Sequence, residues 1–156
     1  MYKKVLVPLD GSPLAENVLT HVDSIVRGCS TETLVLLRVV EPAIYMPDDQ
    51  KERPLKWEVL ERMNEESRNA AQQYLGRIAG ETSYEGVEIQ PVVVMGKTAE
   101  TICEFAEKNG FDLIIMATHG RSGVKRLVWG SVADKVLRSS CVPVLLVRPP
   151  GCVPGF

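Results

Sequence analysis

Histidine and cysteine are scarce, at two and four in 156 residues. Cys29, Cys103, Cys141 and Cys152 lie far apart and show no Cys-x-x-Cys spacing. That pattern argues against a zinc site or a disulfide framework and for reduced thiols. No Cys/His or Ser/His/Asp constellation emerges for nucleophilic catalysis. Charge of one sign is lacking as well. A net charge of −2 supplies no basic field for nucleic acid. No apolar run approaches the roughly 20 residues of a membrane helix. The stretch after Lys3 and Lys4 is too short for the apolar core of a signal peptide, and Pro8-Leu9-Asp10 ends it. The expectation is a cytoplasmic protein. A Walker-type phosphate loop is missing too. Gly96-Lys97-Thr98 reads that way locally, but no glycine stands five positions before Gly96. The triplet is read instead as a turn with Thr98 as a helix N-cap.

What is present is a glycine-spaced loop. Ala117-Thr118-His119-Gly120-Arg121-Ser122-Gly123 follows an apolar run, Phe111 to Ala117, and is closed by Gly130-Ser131. The run reads as a buried strand, and Ser131 to Leu137 reads as a helix. Strand, glycine loop and helix N-terminus together suit an anion, because orphan backbone N–H groups and the helix dipole both favour negative charge there.

The rest of the chain repeats the alternation of strand and helix. Residues 2–9 read as a strand. Ser12 is a good N-cap, with Pro13 at the first helical position. Leu14, Val18, Val22 and Ile25 recur at helical spacing, with Gly28 as the expected stop. Residues 33–40 are apolar nearly throughout, as in a parallel-sheet strand buried on both faces. A polar loop at 41–54 precedes a long helix, about 56–79, with Leu60, Met63, Ala70, Ala71, Tyr74, Leu75 and Ile78 on its inner stripe. Glu58, Glu61, Glu65 and Glu66 read as its solvated face. Strands follow at 87–94, 111–117 and 143–147. Helices follow at 98–108, ended by Asn109-Gly110, and at about 131–139. This pattern predicts a doubly wound, five-stranded parallel α/β sheet with helices on both faces, a Rossmann-like fold. Residues 1–148 are expected to form one domain and 149–156 a frayed tail. Ligands of such sheets bind beyond the carboxyl ends of the strands where the strand order reverses. If the first and fourth strands are neighbours, Pro8 to Ser12 and the glycine loop face each other across one crevice.

Taken together, Val5 to Ser12, Asp112 to Gly120, Gly130 to Leu137 and Cys141 to Val147 resemble the universal stress protein family along nearly the whole chain. The resemblance implies strand order 3-2-1-4-5 and a homodimer joined through the last strand, Val144, Leu145, Leu146 and Val147. It also implies ATP as ligand, with Mg²⁺ on its phosphates. The family's nucleotide-binding pattern is Gly-x2-Gly-x9-Gly-(Ser/Thr). Here Gly120, Gly130 and Ser131 match it, and Ala117 stands at the first glycine position. Carried over by position, Asp10 would lie near the ribose hydroxyls. Val39 would hold the adenine edge through its backbone beside Pro8 and Leu9, and Ala117 would border the ribose. His119, Gly120, Arg121, Gly130, Ser131 and Val132 would surround the phosphates.

Each of these residues has a plainer reading beside that one. Gly120 and Gly130 can be ordinary turn glycines. Ser131 can be only an N-cap, since capping and phosphate binding use the same N–H groups. Asp10 can bond its own turn before Ser12. Lys125 and Arg126 read as solvated, and His21 as structural or exposed. Trp57 and Trp129 read as packing or partner residues. The leading expectation is a small nucleotide-binding protein of stress response or signalling, not a dedicated enzyme. In it, occupancy would order the segment 118–131 and alter what an unknown protein partner meets. The alternative is a dimeric interaction module of the same fold that binds no nucleotide, for which Ala117 is the main support. An adenylyl-transferring or flavoprotein-like enzyme would need a second pocket or domain.

Overall fold

The computed structural model describes residues 1–43, 57–118 and 130–148. In chain order the elements are β1 (Lys4–Pro8), α1 (Pro13–Glu16), α2 (Leu19–Cys29), β2 (Thr33–Val40), α3 (Trp57–Glu81), β3 (Glu88–Met95), α4 (Thr98–Lys108), β4 (Leu113–Ala117), α5 (Ser131–Ser139) and β5 (Val144–Val147). The strands form one parallel sheet in the order β3-β2-β1-β4-β5, as the sequence led us to expect. β1 is central, with Val5 opposite both Leu34 of β2 and Leu113 of β4.

Its burial explains the unbroken apolar run. Successive side chains of a strand point to opposite faces. Val5 and Val7 enter one core with Val18, Val22, Leu36 and Leu75, while Leu6 enters the other with Leu37, Ile102, Ile114 and Val136. Helices cover both faces, so neither register of the strand tolerates polar side chains. Truncating Leu6, fully buried, to alanine is worth about 2–5 kcal/mol.

Several local expectations are corrected. The first helix is two segments. Ala15 N donates to Ser12 O, Val18 N to Ala15 O and His21 N to Val18 O, a tight three-residue pattern across the join. Because Asn17 and Val18 keep right-handed helical dihedrals, the apolar stripe continues: Ala15, Val18, Val22 and Val26 are buried and Ile25 packs half-buried against the same core, while Leu14 is half-buried outside it. Gly28 does not stop α2; the helix runs through it to Cys29. Ser30 ends it in the left-handed region, at φ 53° and ψ 48°. On α3, Met63 and Ala70 are exposed, whereas Leu60, Ala71, Leu75 and Ile78 are buried. Glu58, Glu61, Glu65 and Glu66 are solvated as expected. β1 and β4 are shorter than their apolar runs, which continue as the buried Leu9 and Phe111 outside the ladder.

The two edges of the sheet differ. Glu88 N donates to Glu32 O and Gly96 N to Val40 O, so the even-numbered residues of β3 turn their backbone groups toward β2. Pro91 therefore sits on the outward side, the place where a strand accepts proline. On the other edge, Pro143 O and Val147 O accept from β4, which leaves the backbone groups of Val144 and Leu146 facing outward.

Candidate functional site: the crevice between β1 and β4

The carboxyl ends of β1 and β4 lie side by side. The chain leaves β1 toward α1 on one face and leaves β4 toward α5 on the other, so a crevice opens where the strand order reverses. Ser12 opens α1, its hydroxyl accepting from Ala15 N at 3.2 Å with Pro13 in the first turn. Asp10 braces that start. Its Oδ1 accepts from Ser12 N at 2.9 Å and from Ser12 Oγ at 2.6 Å. The turn reading of Asp10 is correct, and the residue also lines the crevice.

The crevice is a cavity of about 290 Å³. Pro8, Leu9 and Asp10 reach it from the end of β1, Val39 from β2, and Ala117 from β4. Gly130, Ser131 and Val132 reach it from the start of α5. Every described residue of the expected site thus lines one cavity. His119, Gly120 and Arg121 lie outside the described residues, as do Lys125, Arg126 and Trp129. The far wall is apolar, with Ile102 of α4 and Met116 of β4.

At α5 the helix N-cap is Gly130, not Ser131, and glycine supplies no capping side chain of its own. Ser131 is the first helical residue and is exposed. Gly130 has φ −51° and ψ 136°, a conformation open to any L-residue. Backbone geometry does not by itself demand glycine here, although Gly130 does sit at the junction into α5. What a side chain at 130 would change is the space beside the cavity.

Two contributors were missed from the sequence. Arg38, on β2, lines the cavity and donates from Nη1 to Leu9 O at 3.4 Å, bridging the ends of β1 and β2. Glu41, just past β2, caps α4 from another element. Its Oε1 accepts from Thr98 N at 3.2 Å and from Thr98 Oγ1 at 2.7 Å. Thr98 is therefore the first residue of α4 and not its N-cap; Lys97 holds that position without a side-chain bond. The bonds from the Thr98 hydroxyl and then its N–H lower the pKa of Glu41 below the usual carboxylate value. Gly96, before this cap, packs against Thr101, where a Cβ would collide. In sequence only an acidic residue leaving a strand hinted at Glu41, and the N–H it would meet lies 57 positions away.

The family model of the universal stress protein family matches residues 1–148, and the chain belongs to that family. Universal stress protein MJ0531 of Methanocaldococcus jannaschii is 32% identical over 151 residues, spanning 96% of this chain and 84% of the relative. Universal stress protein MJ0577 of the same organism is 30% identical over 160 residues, spanning 95% and 96%. The solved structure of MJ0577 superposes with a TM-score of 0.81 at 31% identity, covering 97% of this chain and 99% of that one. Two more distant structures share the fold. A universal stress protein solved in complex with cAMP has a TM-score of 0.63 at 20% identity, covering 94% and 97%. An Arabidopsis thaliana family protein solved with AMP bound has 0.60 at 16%, covering 96% and 93%.

Proposed function

We propose that the crevice binds an adenine nucleotide, ATP with Mg²⁺ foremost, in a homodimeric cytoplasmic stress-response or signalling protein. The observation that carries this reading is the convergence at one switch-point cavity of Asp10, Val39 and the glycine-capped N-terminus of α5. A helix N-terminus offers N–H donors and a positive dipole end to phosphate. The end of a parallel strand offers backbone groups to a base edge. Asp10 keeps Oδ2 for ribose hydroxyls while Oδ1 holds its turn. The complexes of two family members with AMP and cAMP support adenine as the base. Among the described residues no group of three or more His, Cys, Asp or Glu is built to hold a metal, so Mg²⁺ would ride on the phosphates. Binding and release of nucleotide change what the segment 118–131 presents to a partner, and no dedicated catalysis is invoked.

The alternative, a dimeric module that binds no nucleotide, rests on Ala117, which puts a methyl on the cavity wall at the family pattern's first glycine. Calorimetric titration of the stripped protein with ATP, AMP and cAMP, with and without Mg²⁺, decides between them. Saturable heat with at least one, lost in Gly130→Asp while the oligomeric state persists, supports the nucleotide reading. No heat with any of the three overturns it.

A further inference from the structure

Two thiols meet where α5 ends. Cys103 of α4 packs in the apolar cluster that holds Val136 of α5 and Val142 beyond it. Its S–H donates to Val136 O at 4.0 Å. The same carbonyl accepts from Ser140 N at 2.9 Å, at the C-cap of α5. One oxygen therefore joins Cys103 to the residue before Cys141. Ser140 also closes the turn that follows. Its Oγ donates to Val142 O at 2.8 Å, and Val142 N donates to that Oγ at 3.0 Å. Cys141 stands at the tip of this turn and is exposed, whereas Cys103 is half-buried.

The pair is unequal. Burial first, then the Glu100 carboxylate and the Cys141 sulfur, push the Cys103 thiol up in pKa. Cys103 is thus the shielded thiol, and Cys141 is the one an oxidant meets. Cys29 lies apart from both, at the end of α2, whose buried residues enter the opposite core. Thiol–disulfide exchange needs two steps. The Cys141 sulfur attacks one sulfur of a small-molecule disulfide, which forms a mixed disulfide and expels one thiolate. The Cys103 sulfur then attacks the Cys141 sulfur, which forms the protein disulfide and expels the second thiolate. Each expelled thiolate takes up the proton a cysteine gave. The two cysteines are oxidised by two electrons and the small disulfide is reduced by two. A disulfide holds its Cα atoms within about 7 Å, so closing it draws the tip of the turn toward α4.

We propose that Cys103 and Cys141 are an oxidisable dithiol, which a small-molecule disulfide converts to an intramolecular disulfide tying α4 to the end of α5. The proposal is independent of nucleotide binding, although the tie joins two walls of the crevice, Ile102 on α4 and Ser131 to Ala133 on α5. Its test exposes the reduced, folded full chain to glutathione disulfide and maps the tryptic peptides by mass spectrometry without reduction. The expected result is peptide 98–108 joined to peptide 139–156. The link should persist in Cys152→Ser, where Cys141 is the one thiol left in the second peptide. Adding Cys103→Ser to that variant should leave glutathione held on Cys141 instead. Lasting glutathione on Cys141 while Cys103 is present overturns the proposal. So does a link lost in Cys152→Ser, a Cys141–Cys141 bond between two copies in its place, or a link that forms only in urea.

Discussion

The backbone N–H of Gly130 donates to the carbonyl of Thr118 at 2.7 Å. The chain thus leaves the end of β4 and enters α5 at one point, and Thr118 N is itself held by Val147 O at 2.9 Å. The φ of −51° at Gly130 suits any residue. Gly130→Ala should therefore change stability by no more than about 0.5 kcal/mol in chemical denaturation. The same change should weaken ATP by about tenfold in calorimetry, because its methyl narrows the cavity. Equal affinity in the two proteins would mean that the ligand does not approach this position.

Asp10→Asn keeps the oxygen that Ser12 uses and removes the charge. The turn should survive, with thermal stability within about 0.5 kcal/mol. If Oδ2 accepts from the ribose, ATP should lose about tenfold in affinity and 2′-deoxy-ATP much less. An equal loss for both nucleotides would remove Asp10 from ribose recognition.

Glu41 caps α4 more strongly when ionised, because the bonds from Thr98 favour its charged form. Glu41→Ala should cost about 1 kcal/mol near neutral pH, or roughly 2–4 °C in Tm for a chain of this size. Its folded pKa is depressed, so the stabilisation is present above the ordinary glutamate pKa and fades as pH falls through the lower folded value. Melting curves of parent and variant should converge in acid. A constant gap down to the acid limit would assign the effect to packing and not to charge.

Ser30 pays for a left-handed backbone that glycine adopts freely. Ser30→Gly should raise stability by about 0.5–1 kcal/mol, a gain of a few degrees in thermal melting. Loss of stability would show that the added freedom of the unfolded chain outweighs relief of the cap.

Outward backbone groups on β5 belong to Val144 and Leu146, so pairing through that strand needs the Leu146 N–H. Leu146→Pro should convert a dimer to monomer in sedimentation while the β4–β5 ladder holds. Leu145→Pro removes an inward donor and should lower Tm instead. A dimer that withstands Leu146→Pro would have to form through another surface.

How far the sequence could be read follows from the range of the forces involved. β2 and α4 are legible to the residue, because a nearly continuous apolar run and a 3.6-residue stripe ended by Asn109-Gly110 are local signals. The crevice was legible because Pro8 to Ser12 sit at the end of β1 and Gly130 to Val132 at the start of the helix after β4, which topology then brings together. The Glu41 cap was not, since its partner lies on another element and no spacing records that. Nor was the end of α2, where the helix runs through Gly28 and is closed by Ser30 in the left-handed region, which no local signal at Ser30 announces. Arg38 sits within an apolar run, and only the register of β1 against β2 turns it to the cavity.

Pro91 carries a last consequence. A strand arriving alongside β3 meets a missing donor in mid-edge, whereas one arriving at β5 meets none. Sideways growth of the sheet is therefore favoured at β5 over β3, and two copies joined through β5 would each leave the blunted β3 margin outermost.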